Sequence, residues 1–417
     1  MKKIREIKEI ALEAKKSSSC MAKLSEHEKN KVLEGFKNNL VINRAALLEA
    51  NELDVINATK GGLSNAFIDR LSLNDDGVDS MVSSVTEIIN QSDPIGKIIE
   101  EWERPNGLKI KKVKTPIGVI AIIYESRPNV TADASSLSFK SGNPCILRCG
   151  KDSLNSCNEI FKYFQQSLLS MDLPIGCVQF INNSDRKIVE ELLTLDSLID
   201  VIVPRGGKDL ISLIQEKSRI PVFSHLEGIV HIYVDKHADP VKAYDVILNS
   251  KIRKVSICGA VECILIHKNY LKKGNANFIK GLMDHGIEIR GDNSIHKLFG
   301  TSLASKDDWG KEYLDNILAC KVVDNFNEAI EHISEFGSNH TDCIITENEN
   351  TASEFFKNLD SSILLQNAST QFADGGEFGF GAEIGISTGK LHARGPIGLN
   401  ELTTFQYNVV GNGSVRD

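Results

Sequence analysis

The sequence predicts an α/β protein with parallel sheets in two domains. Three observations carry this reading. From residue 118 onward, short apolar runs alternate with amphipathic stretches, the rhythm of strand–helix–strand units. Runs such as Gly118-Val-Ile-Ala-Ile-Ile-Tyr124 are apolar on both faces, as strands covered on both sides must be. A chain of 417 residues also exceeds what one core ordinarily serves.

The elements follow in order. Before residue 93 the pattern is helical: Ile4, Ile7, Ile10, Ala11 and Ala14 recur at helical spacing. Further helices are expected over 26–39, over 43–60 with a stop at Gly61-Gly62, and over 76–89. After the Asn106-Gly107 turn signal the period changes, and the basic segment 108–114 reads as a strand-like arm. Strands are then expected at 118–124, 145–148, 177–181 and 198–203, with helices reaching 169 and spanning 185–193 and 208–216. A short strand at 222–223 and one at 229–234 come next, and the rhythm continues through 263–267, 286–290 and 342–346. The tail 402–410 reads as a strand that completes an internal sheet or pairs across a subunit interface.

Composition narrows the class. Apolar content of 41% and charged content of 25% are those of a soluble globular protein. A net charge of -8, with no interleaving of aromatic and basic residues, argues against a nucleic-acid platform. No apolar run reaches membrane-spanning length, and the basic N-terminus lacks the apolar core of a secretory signal. Nine scattered cysteines without CxxC pairs fit free thiols in a reducing, cytoplasmic setting.

Cys258 is the first candidate for chemistry. It lies among small and polar residues, Ser256-Ile-Cys-Gly-Ala260, downstream of Lys251, Arg253 and Lys254, whose charge could favour thiolate. A buried, inert thiol is the bland alternative, and Cys263, on a core strand by pattern, is read that way. Cys145 and Cys149 lack further ligands nearby, so no metal site is expected. Arg205-Gly206-Gly207 closes a parallel strand and opens a helix, where backbone donors suit a phosphate; a plain tight turn explains it as well. Tyr124-Glu-Ser-Arg-Pro-Asn-Val130 follows a strand at its carboxyl end, where α/β proteins bind ligands. There Asn129 could donate to an oxyanion and Arg127 could hold an anion, or the segment is a solvent-facing loop. His225 and His231 flank Leu226-Glu227-Gly228; a histidine–glutamate arrangement can suggest a base or metal site, but the spacing matches no common zinc motif, and a buried, hydrogen-bonded histidine is the expected state.

These motifs, in this order, resemble the proline-pathway branch of the aldehyde dehydrogenase superfamily, the gamma-glutamyl phosphate reductases. The resemblance spans nearly the whole chain. It includes Ile68-Asp-Arg-Leu71, Tyr124 to Val130, Lys140-Ser-Gly-Asn143 and Val203-Pro-Arg-Gly-Gly207. Its most specific parts are Asp308-Trp309 with Glu312-Tyr-Leu-Asp315, Gln366 to Thr370, Asp374 to Thr388, Lys390 to Pro396 and Gly398 to Thr404. Gly259 stands where that group carries asparagine, Ser256 where it carries proline, and Cys149 where glycine is common.

The resemblance implies an aldehyde dehydrogenase-like fold: a Rossmann-type cofactor domain, an α/β catalytic domain and a β oligomerisation arm. The implied division assigns 1–107, 119–235 and 364–389 to an NADPH-binding domain. The catalytic domain is then 236–363, and 108–118 with 390–417 form the arm and C-terminal strand. By resemblance Cys258 is the nucleophile and Asn129 an oxyanion donor. Arg148, Lys151, Arg205, Gly206, Gly207 and Glu312 are implied to line the cofactor site. Arg127 and Arg394 are offered to substrate carboxylate or phosphate on charge and location alone.

The implied reaction is NADPH-dependent reduction of L-glutamyl 5-phosphate to L-glutamate 5-semialdehyde through a cysteine thioester. The implied partners are a second copy of the chain, as a homodimer or dimer of dimers, and transiently glutamate 5-kinase. Two other classes stay open. One is a dehydrogenase that oxidises a semialdehyde to its acid, which needs a water-activating carboxylate that Glu227 matches poorly. The other is a dinucleotide-binding scaffold without catalysis.

Overall fold

A computed structural model describes residues 6–416, which fold as two units. Within the described residues the first comprises 6–224, 379–385 and 397–416, and the second 225–378 and 386–396. The expected helical opening holds from Ile7–Met21 on, while Ile4 lies outside the described residues. That helix buries Ile7, Ile10, Ala11 and Ala14, a single apolar face. Helix Glu26–Ile42 starts in a capping box: Ser25 accepts from the Glu28 N–H, and Glu28 accepts from the Ser25 N–H at 2.8 Å. Helices Arg44–Lys60 and Asp75–Asn90 follow, the latter capped by Asn74.

The first unit holds two sheets. Strands β1 (Ile98–Glu103) and β2 (Lys109–Pro116) form an antiparallel hairpin, and the C-terminal strand Thr403–Val410 pairs with the other edge of β2. The tail therefore completes an internal sheet. The parallel sheet contains β3 (Ile120–Tyr124), β4 (Cys145–Arg148), β5 (Val178–Phe180) and β6 (Val201–Arg205), in the order β5-β4-β3-β6. Residues 222–223, expected as a strand, contribute one bridge, Val222 to Ile202. Gly118 enters β3 with φ 134°, and a Cβ there would lie 2.1 Å from Asp200 Oδ2, which itself accepts the Val119 N–H.

The second unit is built on one seven-stranded parallel sheet. Its strands are β7 (Val230–Val234), β8 (Val261–His267), β9 (Glu288–Gly291), β10 (Ser302–Leu303), β11 (Ile317–Val323), β12 (Thr341–Ile345) and β13 (Ile363–Gln366). The order is β10-β9-β11-β8-β7-β12-β13. Ile232 and Ile264 face one core; Tyr233 and Leu265 face the other. The units part at 224/225, whereas the sequence reading drew the border at 235/236 and kept 364–378 in the first domain. The physical reason is pairing: β7 lies between β8 and β12, and β13 adds to β12.

Candidate active site

In the second unit, the loops at the amino ends of four adjacent strands carry groups that meet. Residues 225–228 precede β7, Cys258 precedes β8, Glu312 precedes β11 and His340 precedes β12. Because the sheet runs β11-β8-β7-β12, positions far apart in the chain become neighbours.

Cys258 is half-buried, with a histidine from each of two neighbouring loops. Its Sγ and one ring nitrogen from each of His225 and His340 all lie within 4.8 Å of one another. The imidazole rings stand 4.7 Å apart, edge to face. His225 Nδ1 lies 2.7 Å from the Ile386 carbonyl oxygen. That oxygen can only accept, so Nδ1 carries the proton and the lone pair sits on Nε2. His340 Nδ1 meets the Thr341 hydroxyl at 2.9 Å, while its buried Nε2 makes no hydrogen bond.

Burial alone would raise the Cys258 thiol. The charge of His340, first, and hydrogen bonding by His225 outweigh it and hold the thiol well below its ordinary value. The upstream cations are not among the leading causes. Lys251 is buried and bound to Glu262 at 2.7 Å and to the Val261 carbonyl, and Arg253 donates to Gln371.

Glu312 accepts the Gly228 N–H at 2.9 Å. Burial first, then the negative charge of Cys258, raises its carboxyl, and the Gly228 bond only partly offsets them. Asp308 of the Asp308-Trp309 motif braces Tyr313, the residue after Glu312. Asp308 accepts from Arg290 at 2.8 Å, from Tyr313 at 2.7 Å and from the Ser305 N–H at 2.8 Å. Gly259 offers its carbonyl to the Thr370 hydroxyl at 2.6 Å, tying the cysteine loop to the Gln366–Thr370 motif. Arg394 is paired with Asp360, at 3.0 Å from one carboxylate oxygen.

The first unit holds the other predicted residues, at the carboxyl ends of β3, β4 and β6. Of these, Arg148, Lys151 and Gly207 line a cavity of about 770 Å³, together with Glu125, Arg186 and Lys208 among others, whereas Asn129, Arg127, Arg205 and Gly206 are not part of its lining. Arg148 is buried; it donates to the Ser184 carbonyl at 2.7 Å, and its Nε has no hydrogen-bond partner. Lys151 is exposed at the start of the next helical turn. The Gly207 N–H, offered to a phosphate on sequence grounds, donates here to Glu125 Oε2 at 3.0 Å. A Cβ at Gly206 would lie 2.6 Å from that same oxygen, so the turn is packed to the backbone. The Arg205 side chain lies against Gly385. Asn129 is exposed as the first residue of helix Asn129–Lys140, donating to Asp133 at 3.2 Å; Arg127 is half-buried just before it.

His340 went unread in the sequence, and His225 was read as a structural histidine. A lone His before an apolar strand carries no local signal; only the strand order brings both to Cys258. The expected buried histidine is His231, on β7 beside Cys263 and His332, although neither of its ring nitrogens makes a hydrogen bond.

Comparison with known proteins agrees with this architecture. The profile of the Aldehyde dehydrogenase family matches residues 2–294. A Bartonella quintana (strain Toulouse) protein named gamma-glutamyl phosphate reductase is 48% identical over 412 residues, covering 98% of this chain and 100% of that one. The crystal structure of gamma-glutamyl phosphate reductase from Thermotoga maritima matches with a TM-score of 0.96 at 41% identity, covering 99% of this chain and 100% of the other. An acetylating aldehyde dehydrogenase from Geobacillus thermoglucosidasius, 18% identical, shares the fold with a TM-score of 0.70, covering 99% of this chain and 98% of the other. The chain belongs to the aldehyde dehydrogenase family, on its gamma-glutamyl phosphate reductase branch.

Proposed function

We propose that the chain reduces L-glutamyl 5-phosphate to L-glutamate 5-semialdehyde, with release of phosphate, as a step of proline biosynthesis. One observation carries the reading: a cysteine thiol held low between two imidazoles, in a chain of this family. The Cys258 thiolate attacks the acyl carbon; the carbon–sulfur bond forms and the carbon–oxygen bond to phosphate breaks. The nicotinamide, when bound, supplies hydride to the thioester carbon. The resulting thiohemiacetal expels the thiolate and leaves the aldehyde. Asn129 is assigned the oxyanion-donor role that its motif implies, and Glu312 the ribose of the nicotinamide nucleotide.

The family uses a nicotinamide dinucleotide, and the first unit's cavity suits one. Its Gly206 turn is packed against the Glu125 and Leu210 side chains, and Arg148 Nε is a buried donor without a protein partner. We assign NADPH because Lys151, Arg186 and Lys208 line the same cavity and would meet a 2'-phosphate. Arg127 and Arg394 are assigned to substrate anions, Arg394 exchanging Asp360 for them.

Self-association is assigned to the three-stranded arm. Its C-terminal strand is an open edge with Tyr407, Val409 and Val410 exposed, a surface that a second copy of the chain would cover.

The deciding experiment runs the reaction backwards with semialdehyde, NADP and added phosphate. Strict dependence on phosphate, together with loss of turnover in Cys258→Ala, is the expected result. Equal turnover without phosphate would make the chain a hydrolysing dehydrogenase instead.

A further inference from the structure

Cys258 must lose a proton before it attacks, and the departing phosphate must gain one. Acyl phosphate plus thiolate yields thioester plus a fully ionised phosphate, which leaves as hydrogen phosphate only if a proton meets it. The arrangement around the sulfur provides a carrier. His225 keeps its lone pair on Nε2 because Nδ1–H is fixed on the Ile386 carbonyl. His340 is fully buried, and its Nε2 is without a hydrogen-bond partner although the sulfur and the other ring are close by. A buried imidazole nitrogen without a partner is costly unless its site uses it. Two carboxylates also bear on this pocket: Glu312, electrostatically linked to Cys258, and Glu227, linked to Glu312; the buried Lys251, also linked to Glu312, is already paired with Glu262. The negative charge of the two carboxylates opposes a thiolate, so the histidines are the groups that can sustain one.

We propose that His225 and His340 are the proton-transfer pair of this site: they take the Cys258 proton before attack and return it to the phosphate oxygen that departs. The step balances. The S–H bond breaks and an N–H bond forms; then C–S forms, C–O breaks, and the N–H proton ends on phosphate. After reduction the released thiolate regains a proton from solvent through the same imidazoles. The inference rests on the acyl-phosphate reading above, and it assigns both histidines as catalytic residues.

The test is alkylation of the full chain by iodoacetamide from about pH 5 to about pH 10, with chelator present. Because all nine cysteines are free thiols, the Cys258 peptide is followed by mass spectrometry. The parent should show an alkylation midpoint below the ordinary thiol value of about 8.5. His340→Gln and His225→Gln should each move it upward by about one unit or more. Single-turnover release of phosphate should fall about 100-fold in each, with NADPH affinity unchanged. His225 is half-buried, so its variant keeps the test open should the fully buried His340 not tolerate exchange. An unshifted midpoint in both folded variants would overturn the pair as thiolate holders. A shifted midpoint with unchanged phosphate release would overturn the return of the proton. If Cys258→Ala itself turned over normally, the reduction mechanism would fail first, and that outcome is distinct from either.

Discussion

Gly228 lies directly against the backbone of Cys258: a Cβ at 228 would sit 2.2 Å from the Cys258 carbonyl oxygen and 2.7 Å from its Cα. Space, and not backbone conformation, demands glycine here. The same residue donates its N–H to Glu312, so one position sets both the nucleophile's loop and a carboxylate beside it. Gly228→Ala must push the 258 loop away. Overpacking of this kind costs about 1–3 kcal/mol. Displacing a nucleophile by about 1 Å costs on the order of 100-fold in rate. Urea unfolding and kcat measured together check both, and a variant that keeps its kcat would show that the loop yields freely.

The buried pair Lys251–Glu262 ties helix Pro240–Ile252 to the start of β8, just after the same loop. Its side chains are 0% and 1% exposed, and burial pushes the Glu262 carboxyl up to about 7 although Lys251 pulls it down. Lys251→Met removes that pull, so Glu262 rises further. A carboxyl raised above its unfolded value favours the folded state while protonated and disfavours it once ionised. The variant's deficit should therefore be small near pH 5 and grow toward pH 8, approaching about 3–5 kcal/mol. Denaturant midpoints at the two pH values test the sign. Lys251→Met with Glu262→Leu should recover much of the loss, because no buried charge is then left alone.

Much of this was legible in the chain, for reasons tied to particular segments. Strands such as Cys145–Arg148 and Val230–Val234 showed because a doubly covered strand must be an apolar run between polar helices. Helix Asn129–Lys140 did not show. It is buried nearly all round, so Ala132, Ser135, Ser136 and Ser138 leave no apolar stripe to read. Helix Pro240–Ile252 carried a readable start, Asp239 capping with proline in its first turn, that the strand rhythm overshadowed. Cys258 stood out through its small neighbours, whereas its histidine partners are set by the order of parallel strands, which no local pattern encodes.

Asp308 gives a prediction of the opposite sign. Burial alone would raise its carboxyl, but bonds from Arg290, Ser305 and Tyr313 hold it well below its ordinary 3.8. A carboxyl lowered in the folded state contributes stability that is full above about pH 4 and fades as pH falls through the folded value. Asp308→Asn should lose about 1.5–3 kcal/mol at neutral pH, the range for hydrogen bonds to a charged group. The gap between parent and variant should then close on acidification. A gap independent of pH between about 3 and 7 would remove the ionic contribution from the brace.

The C-terminal strand pairs with β2 from Thr403 to Val410, leaving its far edge open. Val409 and Val410 are 54% and 60% exposed there. If a second copy covers this edge, Val409→Lys should shift the chain toward monomer in sedimentation without lowering its unfolding midpoint. Surface lysine blunts an edge strand by charge and costs little within one chain. An unchanged sedimentation coefficient would move the interface away from the arm.

The NADPH assignment rests on the cations lining the first unit's cavity, which stand there beside the carboxylates of Asp152 and Asp209. Lys151, Arg186 and Lys208 belong to that lining, and Glu125 is already engaged with the Gly207 N–H. A 2'-phosphate adds charge that NADH lacks, so reversing the lining should act on NADPH alone. With Lys151→Glu and Arg186→Glu together, NADPH affinity should fall by a factor of about 10–100, as loss of one or two charge-assisted bonds predicts. NADH affinity should change by less than about 2-fold, because NADH carries no 2'-phosphate for these side chains to meet. Raising salt should weaken NADPH in the parent more than in the variant, since screening acts on the charge pair. Equal losses for both nucleotides would mean that these side chains shape the cavity and do not read the phosphate.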